Sequence, residues 1–145
     1  MSEFFALFFR LIWIVLSFVA AVVAAGVFLA WGFFDPTFQQ QDPVGTIFVL
    51  IYGVISGSLI GGVVFVPALV IISVAEIFSW RSLVLHLAIG GGIGVAAFAA
   101  GSQLPAEAGL PSGWTVAATA GFIGGFTYWL LAGRNAGAWR TVRPK

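Results

Sequence analysis

The feature that most constrains this chain is a series of four long apolar runs, at residues 11–34, 47–77, 83–101 and 114–133, with Glu76 as the one charged side chain inside them. Each run approaches or exceeds the roughly 20 apolar residues that an α-helix needs to cross a bilayer. A transmembrane β-barrel would instead require segments of about ten residues with alternating polarity. The runs therefore predict membrane-spanning helices.

Composition agrees with this interpretation. Of 145 residues, 61% are hydrophobic and only 8% are charged, whereas soluble domains carry about 25% charged residues. A small globule with so few charges cannot cover its surface with polar groups. We therefore predict an all-α integral membrane protein, folded as a single domain that forms a bundle of four transmembrane helices.

The positive charges predict how the bundle is oriented. Segments 35–46 and 102–113 contain no lysine or arginine. Positive residues occur before the first run, between the second and third, and after the fourth: Arg10, Arg81, Arg134, Arg140, Arg143 and Lys145. Because lysine and arginine accumulate in cytoplasmic loops, we expect both termini to be cytoplasmic. The short segment 79–82 predicts that the second and third runs form a hairpin.

Small residues recur at every fourth position of the runs, and such residues share one face of a helix. The positions are Gly53, Gly57, Gly61, Gly90, Gly94, Ala117, Gly121 and Gly125. This spacing predicts glycine-zipper packing, in which helix backbones approach closely. One alternative is that a stripe not needed for packing within the bundle binds another chain. A second alternative is that the glycines in the middle of the second and third runs mark interrupted helices, as in some transporters.

A proline and a few ionisable residues complete the candidate positions. Pro67 lacks an amide hydrogen, which predicts a bend in the second helix and makes Pro67 a hinge candidate. The orientation places five polar residues together in a cytoplasmic-side cluster: Arg10, Glu76, Arg81, His86 and Arg134. We expect Glu76 to pair with one of the arginines, and His86 to bond a hydroxyl or carbonyl group. The alternative is a proton relay from Glu76 to His86.

The sequence offers little for catalysis or cofactor binding. It has no cysteine and one histidine, which excludes thiolate and multi-histidine metal sites within one chain. The glycines at 90–94 lie in an apolar run without the lysine of a phosphate-binding loop. We expect no enzyme activity, no cofactor, no metal and no nucleic-acid partner.

The remaining expectations concern partners and function. The basic tail, residues 134–145, suits anionic lipid headgroups through Arg134, Arg140, Arg143 and Lys145. We expect the bundle to be a structural, assembly or accessory subunit that contacts lipid and either other membrane subunits or its own copies. The alternative is a small transporter or channel for a solute or proton, with Glu76, His86 and Pro67 in its cytoplasmic half. A bacterial inner membrane fits the small size.

Overall fold

A computed structural model describes residues 2–33, 43–101 and 113–136 of the chain. All regular structure in these ranges is helical: α1 (Ser2–Phe33), α2 (Pro43–Ile77), α3 (Leu83–Gly101), α4 (Trp114–Leu131) and a 3-10 turn (Gly133–Asn135). Three segments are long and apolar enough to cross a membrane, namely Leu7–Gly32 within α1, all of α2 and all of α3. The prediction of an all-helical chain with helices able to span a membrane is therefore confirmed.

The fourth apolar run also forms a helix, but α4 is not among these three segments. Its tryptophans, tyrosine and threonines make α4 less hydrophobic than the other helices. It nevertheless packs along both α1 and α3. This position brings the end of α4 back to the start of α1, as the contacts of Arg10 described below show.

The helix ends differ from the ends of the apolar runs. α1 begins at Ser2 instead of residue 11, so Arg10 lies inside the helix. α2 begins at Pro43, where a proline is tolerated because the first helical amide has no intrahelical acceptor. α4 ends at Leu131, and Gly133 opens the 3-10 turn.

The helices pack in an order that the sequence analysis did not predict. α3 packs on α4, α4 on α1, and α1 on α2, whereas α2 and α3 make few contacts. The expectation that the second and third runs form a hairpin is therefore right about their short connection and wrong about their packing. Several glycines lie in these contacts, since Gly90 and Gly94 of α3 face α4, and Gly53 and Gly57 of α2 face α1.

The interior of the bundle consists mainly of small side chains. Ala30, Ala68 and Ala120 are buried, whereas large residues such as Leu59 and Val63 are 70% and 75% exposed. Large apolar side chains on the outside and small ones inside are expected where lipid surrounds the protein and close backbone contact holds it together.

The hinge candidate Pro67 lies on an exposed part of α2, and the helix continues through it without a break to Ile77. A transmembrane helix tolerates proline where neighbouring groups satisfy the freed carbonyl. A hinge at Pro67 therefore stays a prediction.

Candidate functional site

The backbones of α3 and α4 touch where the predicted glycines meet. A Cβ atom added to Gly90 would overlap the carbonyl oxygen of Gly121 and lie 2.9 Å from the Cα atom of Gly125. A Cβ atom on Gly94 would overlap the carbonyl oxygen of Ala117 and lie 3.2 Å from the Cα atom of Gly121. The structure thus brings these five positions together in one interface.

The second glycine contact joins α1 and α2. A Cβ atom on Gly57 would lie 3.0 Å from the Cα atom of Gly26, and one on Gly53 would lie 2.8 Å from the Cα atom of Val27. Gly61 instead faces a side chain, with the Cγ1 atom of Val22 at 2.6 Å from the added Cβ. Gly26 was not predicted to lie in a helix contact, although a glycine in the middle of the first apolar run was an available signal.

A polar network closes one end of the bundle, which we call the polar end and define by Arg10, Glu76 and Ala132. The Nη2 atom of Arg10 donates to Glu76 Oε1 at 2.6 Å, to the carbonyl oxygen of Ala132 at 3.1 Å and to that of Asn135 at 2.9 Å. The two charged side chains are only 16% and 14% exposed. One guanidinium thereby ties α1 to α2 and to the segment after α4.

Other side chains satisfy carbonyl groups at the polar end. Trp13 Nε1 donates to the carbonyl oxygen of Leu131, and Trp129 Nε1 donates to that of Arg81, both at 2.8 Å. Arg81 Nε donates to the carbonyl oxygen of Ala136 at 2.8 Å. The last carbonyls of a helix have no partner within it, and Trp13 supplies one for Leu131 at the end of α4. The other two bonds join α4 and the segment after it to the connection between α2 and α3.

The turn between α2 and α3 positions Arg81. Ser79 adopts a left-handed conformation with φ 55. The amide of Trp80 donates to the carbonyl oxygen of Ala75 at 2.8 Å, and the amide of Ser79 donates to the backbone carbonyl oxygen of Glu76 at 3.3 Å. This is the hydrogen-bond pattern of a Schellman motif, which ends a helix sharply. The chain therefore leaves α2 at the polar end with Arg81 at the tip of the connection.

His86 lies on α3 near the same end and is 8% exposed. Its Nδ1 atom is 2.9 Å from the carbonyl oxygen of Ser82, and its ring stacks on Tyr128 with centroids 5.9 Å apart. A Cβ atom on Gly133 would lie 2.8 Å from Nε2 of His86, so the imidazole packs directly on the 3-10 turn.

The structure thus places all five members of the predicted polar cluster close to the polar end. Arg10 is the arginine that pairs with Glu76, while Arg81 and His86 contact the segment that follows α4. Arg134 lies exposed in the 3-10 turn itself. Arg140, Arg143 and Lys145 lie outside the described residues.

An apolar cavity of about 570 Å³ lies between the four helices. Each helix contributes to its wall, and the lining side chains are apolar or small except for His86 and Tyr128, which lie toward the polar end. Because α2 and α3 make few contacts while the other neighbouring helices pack closely, the cavity opens to the side between α2 and α3.

The chemistry available at these positions is limited. The described ranges contain no group of three or more histidine, cysteine, aspartate or glutamate side chains that could hold a metal ion. Comparison of the chain with protein-family models, with curated proteins and with solved structures finds no match. Function is therefore inferred from the helix contacts, the polar end and the cavity.

Proposed function

We propose that the chain crosses a membrane four times as a glycine-zipper bundle and acts as an assembly or accessory subunit, without catalytic chemistry of its own. In this proposal both termini lie in the cytoplasm, and the membrane is a bacterial inner membrane. The polar end, where Arg10, Arg81 and Arg134 lie together, would then be the cytoplasmic end, in line with the distribution of positive charge.

One observation supports an assembly role above the others. α3 presents a second stripe of small residues on its outer side, distinct from the glycines that contact α4. Its members follow one another at every fourth position and are all exposed: Ala88, Gly92, Ala96 and Ala100. We call this stripe the outer face of α3. Small-residue faces are typical of helix–helix contacts in membranes.

The outward side of α2 provides the contrast. Its exposed residues include Leu59, Val63 and Val66, with exposed fractions of 70%, 75% and 67%, as is usual for a surface that faces lipid. Inside the bundle Gly90 and Gly94 already serve the contact with α4. The outer face of α3 is therefore surplus to internal packing, which supports contact with a helix of another subunit or of a second copy.

Two exposed glycines provide a matched test. A Cβ atom on Gly62 in α2 or on Gly92 in α3 would meet nothing within 4 Å, so leucine at either position leaves the bundle intact. We expect Gly92→Leu to weaken assembly by at least about tenfold, equivalent to about 1.4 kcal/mol, because the bulk separates the docked helices. We expect Gly62→Leu to assemble like the unaltered chain.

The measurement is purification of the full chain from its native membrane in a mild detergent, followed by mass spectrometry of what remains bound. A stoichiometric membrane protein, or a second copy, that is lost with Gly92→Leu and kept with Gly62→Leu supports the proposal. A monomer without a partner, or equal losses with both variants, contradicts it.

The alternative function, a small transporter or channel, gains no support from the cavity. A hydrated path for protons or ions requires polar groups deep in the membrane. Along the described part of the cavity wall, the titratable groups are confined to His86 and Tyr128, both toward the polar end.

A further inference from the structure

The cavity between α2 and α3 is large for a bundle of this size. It measures about 570 Å³, within the range of about 300–1,000 Å³ that is typical of ligand pockets. Its wall carries hardly any polar groups, so water would find few hydrogen-bond partners there. The occupant must be apolar.

A membrane offers two kinds of apolar occupant, a helix of another protein and a hydrocarbon chain. A helix of 20 residues approximates a cylinder 10 Å wide and 30 Å long, with a volume of roughly 2,400 Å³. A single hydrocarbon chain is much thinner than a helix and fits the space.

The cavity is also long enough to hold a lipid chain. Its wall on α3 runs from Leu85 to Gly101, which at 1.5 Å per residue corresponds to about 24 Å. The hydrocarbon of one leaflet is about 15 Å deep, half of the bilayer core. The opening between α2 and α3 faces the side of the bundle, so a chain can enter directly from the surrounding leaflet.

The charge at the polar end indicates the headgroup. The connection between α2 and α3 lies directly at one end of this opening, and it carries Arg81, which is exposed and uses Nε for the carbonyl of Ala136. Arg134 is a second exposed cation at the same end. The guanidinium of Arg81 therefore retains further donors, and guanidinium groups bind phosphate by charge-assisted hydrogen bonds.

We propose that the protein binds one anionic phospholipid, with an acyl chain in the cavity between α2 and α3 and its phosphate on Arg81. The acyl chain moves into the cavity from the hydrocarbon of the bilayer and not from water. Binding therefore gains little from the hydrophobic effect. The gain comes from filling a void with dispersion contacts and from pairing the phosphate with Arg81. The inference does not depend on the assembly role, although it shares the premise that the bundle lies in a membrane.

Two valines of α2 provide the test. Val64 lines the cavity, whereas Val66 is 67% exposed and lies outside it. The full chain is reconstituted in vesicles of equal phosphatidylglycerol and phosphatidylcholine, extracted in detergent and examined by native mass spectrometry. We expect the unaltered chain and Val66→Trp to retain one phosphatidylglycerol. Val64→Trp fills the cavity and should reduce retention about tenfold.

The headgroup is tested with Arg81. We expect Arg81→Gln to abolish the preference for phosphatidylglycerol over phosphatidylcholine, and Arg81→Lys to preserve it. Should Val64→Trp fail to fold, Ala97→Phe fills the cavity from α3, because Ala97 also lines it. Gly92→Leu should lose assembly and keep the lipid, which separates the two proposals.

Three results would overturn the inference. These are equal retention by Val64→Trp and Val66→Trp, equal retention of the two lipids by the unaltered chain, and an unchanged preference in Arg81→Gln.

Discussion

Replacing Gly121 with leucine is expected to lower the midpoint of thermal unfolding in detergent by about 10 °C or more. A Cβ atom at this position would overlap the carbonyl oxygen of Gly90 and lie 3.0 Å from the Cα atom of Gly91. Backbone cannot rotate away as a side chain does, so α3 and α4 must separate. Overpacking of this kind costs about 3 kcal/mol.

The matched control for Gly121→Leu is Gly62→Leu, which makes the same substitution where a Cβ atom meets nothing within 4 Å. Each variant replaces a glycine within a helix by leucine, so the difference in intrinsic helix propensity cancels in the comparison. Unfolding is followed by the loss of helical circular dichroism on heating. Midpoints within a few degrees of each other would show that the contact between α3 and α4 does not hold the bundle together.

Replacing Arg10 with methionine is expected to destabilise the bundle by about 3 kcal/mol, the usual cost of removing one partner from a buried ion pair. Arg10 and Glu76 are mostly buried, and Arg10 also bonds the carbonyl oxygens of Ala132 and Asn135. Methionine keeps much of the length and the apolar stem, so the change isolates the charge and its hydrogen bonds. The readout is the free energy of unfolding in mixed micelles.

Two further variants show whether this cost belongs to the ion pair. The double variant Arg10→Met with Glu76→Leu is expected to recover part of the stability, because no unbalanced charge then remains at the pair. Arg134→Met removes an exposed cation from the same end and should cost less than about 0.5 kcal/mol. A loss as large for Arg134→Met as for Arg10→Met would mean that total positive charge, and not the buried pair, stabilises this end.

Local spacing predicted which helix faces carry small residues, but not which faces meet. Gly90 and Gly121 stand out because a repeat of four residues marks one side of a helix. The same rule applies equally to Gly57, which contacts Gly26, so a repeat alone does not select a partner. That choice depends on the fit between whole surfaces. The cavity between α2 and α3 follows from the same choice and has no local signal.

The sequence predicted which residues lie at the polar end, but not the ion pair and hydrogen bonds that they form there. Charge distribution along the chain indicates that Arg10, Glu76 and Arg81 lie at one membrane face. The charge distribution does not indicate that Arg10 pairs with Glu76, because three arginines were possible partners of Glu76. The donor roles of Trp13 and Trp129 toward backbone carbonyls were also missed, because interfacial tryptophans have the same sequence pattern whether they bond lipid or protein.

Cysteine labelling can show whether the chain crosses the membrane four times. The protein has no cysteine, so single cysteines can be placed at Ser82 and Asn135, which are exposed near the polar end, and at Gln40 between the first two apolar runs. Sealed vesicles of known orientation are treated with a membrane-impermeant maleimide. Four crossings predict that Ser82→Cys and Asn135→Cys react from the cytoplasmic side and Gln40→Cys from the other. Reaction of Ser82→Cys and Asn135→Cys from opposite sides would rule out four crossings.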